Sequence, residues 1–264
     1  MTTTIEISGW LEEQLERLVE IGLYSTKSEA VRDAIRRFIE TLDMPSIALK
    51  LYRMKGISLG LAAEIANKTY EEMITYMITK GIIPELGEPD INALLKQYKI
   101  LMDRRRSNTT FIVDYSTLSL MYHTGLVDYI DKMENSKFYI PSQLLYSLHL
   151  LNIKRLVLYK SKSNTKIFTV KSLNRKINSS SVKRQGITLY EYEAIMLARE
   201  LNSILVSEDI RVRRKARDNG VEAVSSLAII LNLRDLGILK GSSLVDIVER
   251  AKSYPIAIPL ELEI

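Results

Sequence analysis

Residues 110–118 read TFIVDYSTL, a short apolar run that ends in Asp114. Uninterrupted apolar runs of this length are typical of strands that are buried on both faces of a parallel sheet. Similar runs occur at residues 138–140 and 203–206, and helical patterns separate them. This alternation of strands and helices predicts an α/β domain with a parallel sheet over residues 110–264.

Acidic residues closely follow two of these predicted strands. Asp114 ends the first run, and Glu208 and Asp209 follow residues 203–206 after a single serine. Because ligands of open parallel sheets gather beyond the carboxyl ends of the strands, these acids are expected to converge there. Carboxylates without His or Cys suit Mg²⁺ or Mn²⁺, and paired ions of this kind support phosphodiester hydrolysis. The alternative for each acid is a helix cap or a first-turn acid favoured by the helix dipole.

Together with a third acidic segment, these stretches resemble the PIN domain, the fold of VapC-like toxin ribonucleases. The resemblance rests on FIVDYSTL at 111–118, TLYEYEAIMLARELN at 188–202, ILVSEDIRVRRKARDNGV at 204–221 and VSSLAIILNLRDLGIL at 224–239. It implies that the catalytic acids are Asp114, Glu191, Glu208 and Asp209, with a metal held by Asp114 and Asp209. Glu191 also ends the capping box TLYE at 188–191, so it is a cap, or a cap and a ligand.

One acid of the PIN pattern is missing. The family usually carries an acid shortly after the Ile-Pro that ends its next strand, whereas IPSQLLYS at 140–147 has none and places Tyr146 there. Glu208 also stands in a position often held by Asp. We therefore expect a degenerate site without hydrolytic activity, for which no cofactor is certain and Mg²⁺ or Mn²⁺ is the candidate.

Charge is distributed unevenly along the chain. Residues 1–90 carry 10 Lys and Arg against 15 Asp and Glu, whereas no acid occurs from residue 135 to residue 190. This acid-free tract predicts an electropositive surface for a polyanion, DNA or RNA. The alternative is a solvated basic region that docks on the acidic front half of another protomer. The predicted contacts to the nucleic-acid backbone are Lys154, Arg155, Lys160, Lys162, Lys166, Lys171, Arg175, Lys176, Lys183 and Arg184.

The N-terminal segment 1–43 has the pattern of one strand and two amphipathic helices. TTIEIS at 3–8 alternates as a half-buried strand does, and TKSE at 26–29 is a capping box before an apolar stripe. This order resembles the ribbon-helix-helix (CopG/Arc-like) module of many antitoxins. The resemblance implies a homodimer, or a higher even-numbered oligomer, formed through the N-terminal strand; the alternative is a plain helical hairpin. It also implies DNA contacts by Thr4, Glu6, Thr26, Lys27 and Ser28.

The next segment, 44–83, is predicted to form three short helices. Its sequence KGISLGLAAE at 55–64 resembles small helix-turn-helix-like antitoxins, and TYEE at 69–72 is a capping box before the last helix. A second DNA contact and a helical dimerisation or spacer domain are both open at this stage. Residues 84–109 form a predicted linker and connecting helix that ends in the basic run 104–106, which could plug the acidic site.

Composition excludes several classes of protein. The chain has no Cys, only two His, and no apolar run long enough to span a membrane, so thiol and zinc chemistry are excluded. The expected localisation is the cytoplasm, with nucleoid association if DNA is the partner.

The preferred interpretation is a DNA-binding regulator or chromosome-associated protein of toxin–antitoxin ancestry, with an inactive PIN domain. The alternatives are a metal-dependent ribonuclease restrained by its fused antitoxin modules and a non-catalytic RNA-binding or ribosome-binding factor.

Overall fold

The computed structural model describes residues 4–104, 108–147, 168–173, 177–260 and 262. The strands of this part are β1 (Thr109–Val113), β2 (Ser136–Pro141), β3 (Phe168–Lys171), β4 (Ile204–Val206) and β5 (Ala223–Val224). The helices are α1 (Trp10–Glu20), α2 (Lys27–Thr41), α3 (Met44–Lys55), α4 (Leu59–Ile65), α5 (Tyr70–Thr79), α6 (Ile91–Arg104), α7 (Tyr115–Thr124), α8 (Val127–Ile130), α9 (Ser142–Ser147), α10 (Ser179–Lys183), α11 (Leu189–Glu200), α12 (Ile210–Asp218), α13 (Ser226–Asp235) and α14 (Ser242–Ser253).

The strands form a parallel sheet in the order β3-β2-β1-β4-β5. Phe111 of β1 lies between Phe138 of β2 and Ile204 of β4, and the rings of Phe111 and Phe138 stack at 4.9 Å. The chain passes from β1 to β2 on one side and returns to β4 on the other, so the strand order reverses at β1. That reversal opens a crevice at the carboxyl ends of β1 and β4, the usual place for a ligand.

Helices cover both faces of the sheet. Phe111 and Val113 point into one apolar cluster with α7, α13 and α14, whereas Ile112 points into a second cluster with α10, α11 and α12. Successive side chains of a strand alternate between faces, and all three of these are buried. The predicted parallel sheet and the α/β/α arrangement are therefore confirmed.

The helices α3 to α6 pack on the first face of this domain. Tyr52, Leu59, Met73, Met77 and Leu94 are buried in the same cluster as the side chains of β1. The helix α6, predicted as a connector, lies against α13 and supplies buried residues to the core. The segment 44–83 is thus a docked part of the α/β body.

The chain between α5 and α6 is joined to the body through its backbone. Leu86 pairs with Asp209 and Gly87 with Ala257 as isolated bridges. Gly87 has a φ of 79°, and a Cβ there would collide with the Ala257 backbone, so this close approach requires glycine.

The N-terminal hairpin differs from the prediction in two respects. Both helices form, and Thr26 caps α2 by accepting a hydrogen bond from the Glu29 amide, but the Glu29 carboxylate accepts from Ser25 rather than from Thr26. Residues 4–8, the described part of the predicted strand 3–8, form no strand in the single chain. A ribbon needs a second strand, and no described residue of the single chain pairs with them.

The helices of the described part give no membrane signal: none combines the length and apolar character that a span requires. Of the predicted basic contacts, Lys154, Arg155, Lys160, Lys162, Lys166, Arg175 and Lys176 lie outside the described residues, as do Arg105 and Arg106.

Candidate active site

Asp114 lies at the carboxyl end of β1 and is almost fully buried. Its Oδ1 accepts hydrogen bonds from Ser116 Oγ at 2.7 Å and from the Thr117 amide at 2.9 Å, which caps α7. Its Oδ2 accepts a hydrogen bond from Ser207 Oγ at 2.5 Å. Burial raises the pKa of Asp114 to about 6, although the Ser207 hydroxyl partly offsets this by favouring the carboxylate.

The two acids after β4 point in different directions. Asp209 caps α12, because its Oδ1 accepts from the Arg211 amide at 2.8 Å. Glu208 turns towards the start of α13, where its Oε1 accepts hydrogen bonds from the amide and the hydroxyl of Ser226. Its Oε2 has no hydrogen-bond partner among the described residues. Burial raises the pKa of both carboxyl groups.

Glu191 faces the same edge of the sheet from α11. The capping box of Thr188 and Glu191 is present, as the sequence predicted, with the Thr188 amide 2.7 Å from Glu191 Oε2. Burial, and next the negative charge of Asp209, raise the pKa of Glu191 to about 8. Asp114 contributes to this rise as well, so the three acids lie close enough to repel one another.

A fifth acid at this edge, Glu193, was missed by the sequence reasoning. It is buried, and its carboxylate accepts hydrogen bonds from Ser142 Oγ, the Gln143 amide and the Leu173 amide. It therefore holds the start of α9, the helix on which the PIN pattern expects its missing acid. Tyr146, which stands in that place in the sequence, is 84% exposed. The available signal was the second acid in YEYE, which is unusual on a helix that is buried on both sides.

The segment 44–83 reaches into this edge of the sheet. Ser58 Oγ donates a hydrogen bond to Glu191 Oε2 at 2.6 Å, and the Leu59 amide donates to Asp209 Oδ2 at 2.8 Å. Ser58 also caps α4 and is held by its own amide, which donates to the Gly186 carbonyl at 2.8 Å. The acidic side chains are therefore satisfied by donors from the N-terminal part of the same chain.

Arg104, the one described residue of the predicted plug 104–106, does not contact the acids. Arg104 pairs with Glu222 at 2.6 Å and donates to the Asn202 carbonyl, both at the amino end of the sheet. The strands run parallel, so this end lies opposite to the carboxyl edge that carries Asp114. Arg104 lies at this end because it precedes β1, whereas Asp114 follows β1.

The PIN-like fold implies a divalent metal ion at these acids. Carboxylate oxygens are suitable ligands for Mg²⁺ or Mn²⁺. In the described part of the chain, however, no group of three or more His, Cys, Asp or Glu side chains is arranged to hold a metal. Hydrogen-bond donors of Ser58 and Leu59 also occupy oxygens of Glu191 and Asp209. The closed arrangement therefore does not fit a divalent ion.

The predicted nucleic-acid contacts that the structure describes lie on several surfaces. Thr4, Glu6, Thr26 and Ser28 are exposed, and Lys27 forms ion pairs with Glu12 and Glu16. These positions stand apart from the acidic edge.

Within the described part of the basic tract, one lysine pairs across to the docked segment. Lys183 pairs with Glu64 at 2.6 Å, and Lys171 lies 5.1 Å from the ring of Tyr139. Arg184 is exposed. The structure therefore brings the acids together, and of the described basic residues Lys183 pairs with the docked segment and Lys171 contacts a ring of β2.

A parallel α/β/α domain with buried acids at the carboxyl ends of β1 and β4 defines the class of the molecule as a PIN-like domain. The model of the family described as "DUF3368: PIN domain" matches residues 110–254, and the chain belongs to this family. Among solved structures, the chain is similar to a PilT N-terminus domain protein from the hyperthermophilic archaeon Sulfolobus solfataricus P2. The two are 24% identical over 46% of this chain and 92% of the other, with a TM-score of 0.33. No curated protein matches the chain.

Proposed function

We propose that the protein is a DNA-binding regulator of toxin–antitoxin ancestry, a homodimer or higher even-numbered oligomer whose PIN domain does not cleave nucleic acid in the closed arrangement. Membership of the PIN family suggests a nuclease-like or toxin–antitoxin-related role. PIN domains bind nucleic acids, mainly RNA, so RNA is the competing ligand.

The observation that carries the proposal is the exposed apolar face of the N-terminal hairpin. Ala30 is the one buried residue of α1 and α2. Large apolar side chains elsewhere in this region are exposed, namely Ile5, Trp10, Leu11, Ile21, Leu23, Ile35, Phe38 and Ile39. A patch of this kind marks an interaction surface. A second copy would cover it and supply the strand partner that residues 4–8 lack, as the ribbon-helix-helix resemblance implies.

The test is the binding of the full chain to duplex DNA from upstream of its own gene, in competition with structured RNA. Phosphate contacts by Lys and Arg release counterions, so the affinity is expected to fall steeply as salt increases. A shallow salt dependence, or preference for RNA, would contradict DNA regulation; preference for RNA would favour a non-catalytic RNA-binding factor.

The role of the N-terminus is tested by Ile5→Asp. A charge on the face that pairs with a second copy is expected to abolish the dimer in sedimentation and to weaken DNA binding. Ile83→Asp is the matched control, because Ile83 is 83% exposed outside the hairpin. Equal oligomer sizes for both variants would reject dimerisation through this face.

A second candidate function is a metal-dependent ribonuclease that is restrained by its own N-terminal part. The observation that favours it is the retention of Asp114, Glu191 and Asp209 at one edge of the sheet, in positions that match the PIN pattern. Cleavage of RNA with Mn²⁺ that disappears in Asp114→Ala would support this candidate. Indistinguishable products from the wild type and the variant would reject it.

A further inference from the structure

We infer that residues Ser58 to Gly60 are an internal pseudo-ligand that keeps divalent cations out of the acidic site, and that Arg211 is the latch that holds them there. This inference rests on the second candidate function and names the segment and the residue responsible for the restraint. The protein's own donors take the place of a cation at the carboxylates.

The docked segment meets the acids with hydrogen-bond donors. Ser58 and Leu59 each present a hydrogen-bond donor to an acid, Glu191 and Asp209 respectively, at 2.6 and 2.8 Å. The Leu59 donor is a first-turn amide of α4 that is not used within the helix, and the Ser58 donor is the hydroxyl of the residue that caps α4. Ser58 and Leu59 are completely buried. Hydrogen bonds in a dry site of this kind are electrostatically stronger than those in water.

Gly60 leaves no room for a side chain between α4 and Glu191. A Cβ added there would lie 2.5 Å from Glu191 Oε1 and closer still to the Tyr190 hydroxyl. Gly60 has no left-handed backbone conformation that would explain a glycine in this helix. Its role is therefore to let the helix approach the acid closely, because any side chain would separate them.

Arg211 is the latch that holds the docked segment in place. The Arg211 guanidinium donates hydrogen bonds to the carbonyl oxygens of Tyr52 and Ile57, each at 2.7 Å, on both sides of the turn that leads into α4. It also stacks 3.5 Å from the centre of the Tyr52 ring and pairs with Glu85 at 2.8 Å. Arg211 follows Asp209 by two residues, so the latch and the acid it covers belong to the same helix start.

A second attachment fixes the far side of the docked segment. The Glu71 carboxylate at the start of α5 accepts hydrogen bonds from Ser119 Oγ at 2.7 Å and from the Tyr115 hydroxyl at 3.1 Å. Glu71 therefore faces α7 of the PIN domain. These contacts also explain why an acid stands at the start of this helix, where a carboxylate would repel the phosphate groups of DNA.

The closure is intramolecular and therefore persistent. Residues 86 and 87 stay bridged to the body, so an opened segment 44–83 remains tethered beside its docking surface. A tether of this length keeps the effective concentration of the pseudo-ligand high. A cation held by Glu191 and Asp209 would compete with the segment for these carboxyl groups, so each is expected to weaken the binding of the other.

The experiment measures Mn²⁺ binding to the full chain by calorimetry and by electron paramagnetic resonance, alongside amide exchange of residues 57–65. The opening variants are Gly60→Ala, Ser58→Ala and Arg211→Ala. The matched controls are Glu64→Ala, which breaks only the exposed pair with Lys183, and Arg214→Ala, an exposed arginine on the same helix as Arg211. Circular dichroism identifies the variants that remain folded, and Ser58→Ala adds no volume should Gly60→Ala fail to fold.

The expected result is faster exchange of residues 57–65 and an Mn²⁺ affinity raised by about tenfold or more in the opening variants, with both controls resembling the wild type. An unchanged Mn²⁺ affinity in folded opening variants overturns the inference, whatever the exchange shows. RNA cleavage is assayed separately. Tighter Mn²⁺ binding without cleavage supports the pseudo-ligand and rejects the ribonuclease.

Discussion

The segment 44–83 buries its apolar side chains against the PIN domain, whereas the hairpin of α1 and α2 leaves its own exposed. Met73 and Met77 of α5 are completely buried, but Trp10 and Phe38 are 69% and 63% exposed. Both segments were predicted from the sequence to be antitoxin-like modules, and both contain a helix capped by a threonine. The difference shows that the segment 44–83 has its partner within the described part of the chain, whereas the apolar face of the hairpin is not covered by the residues that the structure describes.

The largest effect is expected at Arg213, the anchor that joins the chain following the docked segment to the body. Arg213 is buried, and its guanidinium donates to the carbonyl oxygens of Ser207 and Glu208 and pairs with Glu88 at 3.2 Å. Arg213→Ala leaves Glu88 buried without its cation, so we expect a loss of about 3–5 kcal/mol in the free energy of unfolding. Urea unfolding measures it.

Arg214→Ala provides the control for this loss, since Arg214 is an exposed neighbour on the same helix. A surface substitution of this kind is expected to change stability by less than about 0.5 kcal/mol. Equal midpoints for the two variants would show that the anchor contributes nothing to the docked arrangement.

A direct test of the comparison truncates one apolar side chain in each segment. Met73→Ala removes a completely buried side chain and is expected to cost about 2–5 kcal/mol. Phe38→Ala removes an exposed one, so the dilute single chain should lose less than about 0.5 kcal/mol. At higher protein concentration the Phe38 variant should be less stable than the wild type if a second copy covers this face. Equal losses of stability in the two variants, at every protein concentration, would contradict the view that only the segment 44–83 is packed within the chain.

The closed site should also make stability depend on pH. The pKa of Glu191 is raised from 4.5 to about 8 on folding, so its contribution is fully present below the unfolded value and is lost as pH rises through the folded one. At about 1.4 kcal/mol per pKa unit, stability should fall by roughly 2–3 kcal/mol between about pH 5 and pH 7.

Glu191→Gln keeps the shape of the side chain and removes its titration. The melting temperature of this variant should decline less over the same pH range than that of the wild type. Part of the slope will remain, because burial also raises the pKa of Asp114, to about 6. Superimposable pH profiles would show that Glu191 is not held protonated in the closed form.

Sequence patterns were sufficient for the centre of the fold. The strands β1, β2 and β4 were predicted because a strand buried on both faces must be apolar without interruption. The edge strands were missed for the converse reason. Val170 of β3 is partly exposed within a basic tract, and β5 has only two residues, Ala223 and Val224. Neither gives a periodic signal.

The acids of the site were predicted from the sequence, but the contacts that Ser58 and Leu59 make with them were not. Asp114, Glu191 and Asp209 stand at fixed distances from strand ends and helix starts, so local patterns locate them. Ser58 reaches Glu191 across 133 residues, and no local pattern encodes such a contact. The available trace was Gly60, a glycine inside a predicted helix, which usually has a packing reason.

The smallest expected effect compares two helix caps. Thr69 caps α5 in the docked segment and Thr26 caps α2 in the hairpin, each by accepting a hydrogen bond from the amide three residues later at 3.2 Å. Replacing either by Ala is expected to weaken its helix by about 1 kcal/mol. In Thr69→Ala the loss should appear in the free energy of global unfolding, because α5 unfolds with the core that it helps to form. In Thr26→Ala it should appear only as faster amide exchange in α2, because a helix that packs on little else opens alone. A global loss in the Thr26 variant would mean that the hairpin, too, is bound to the body.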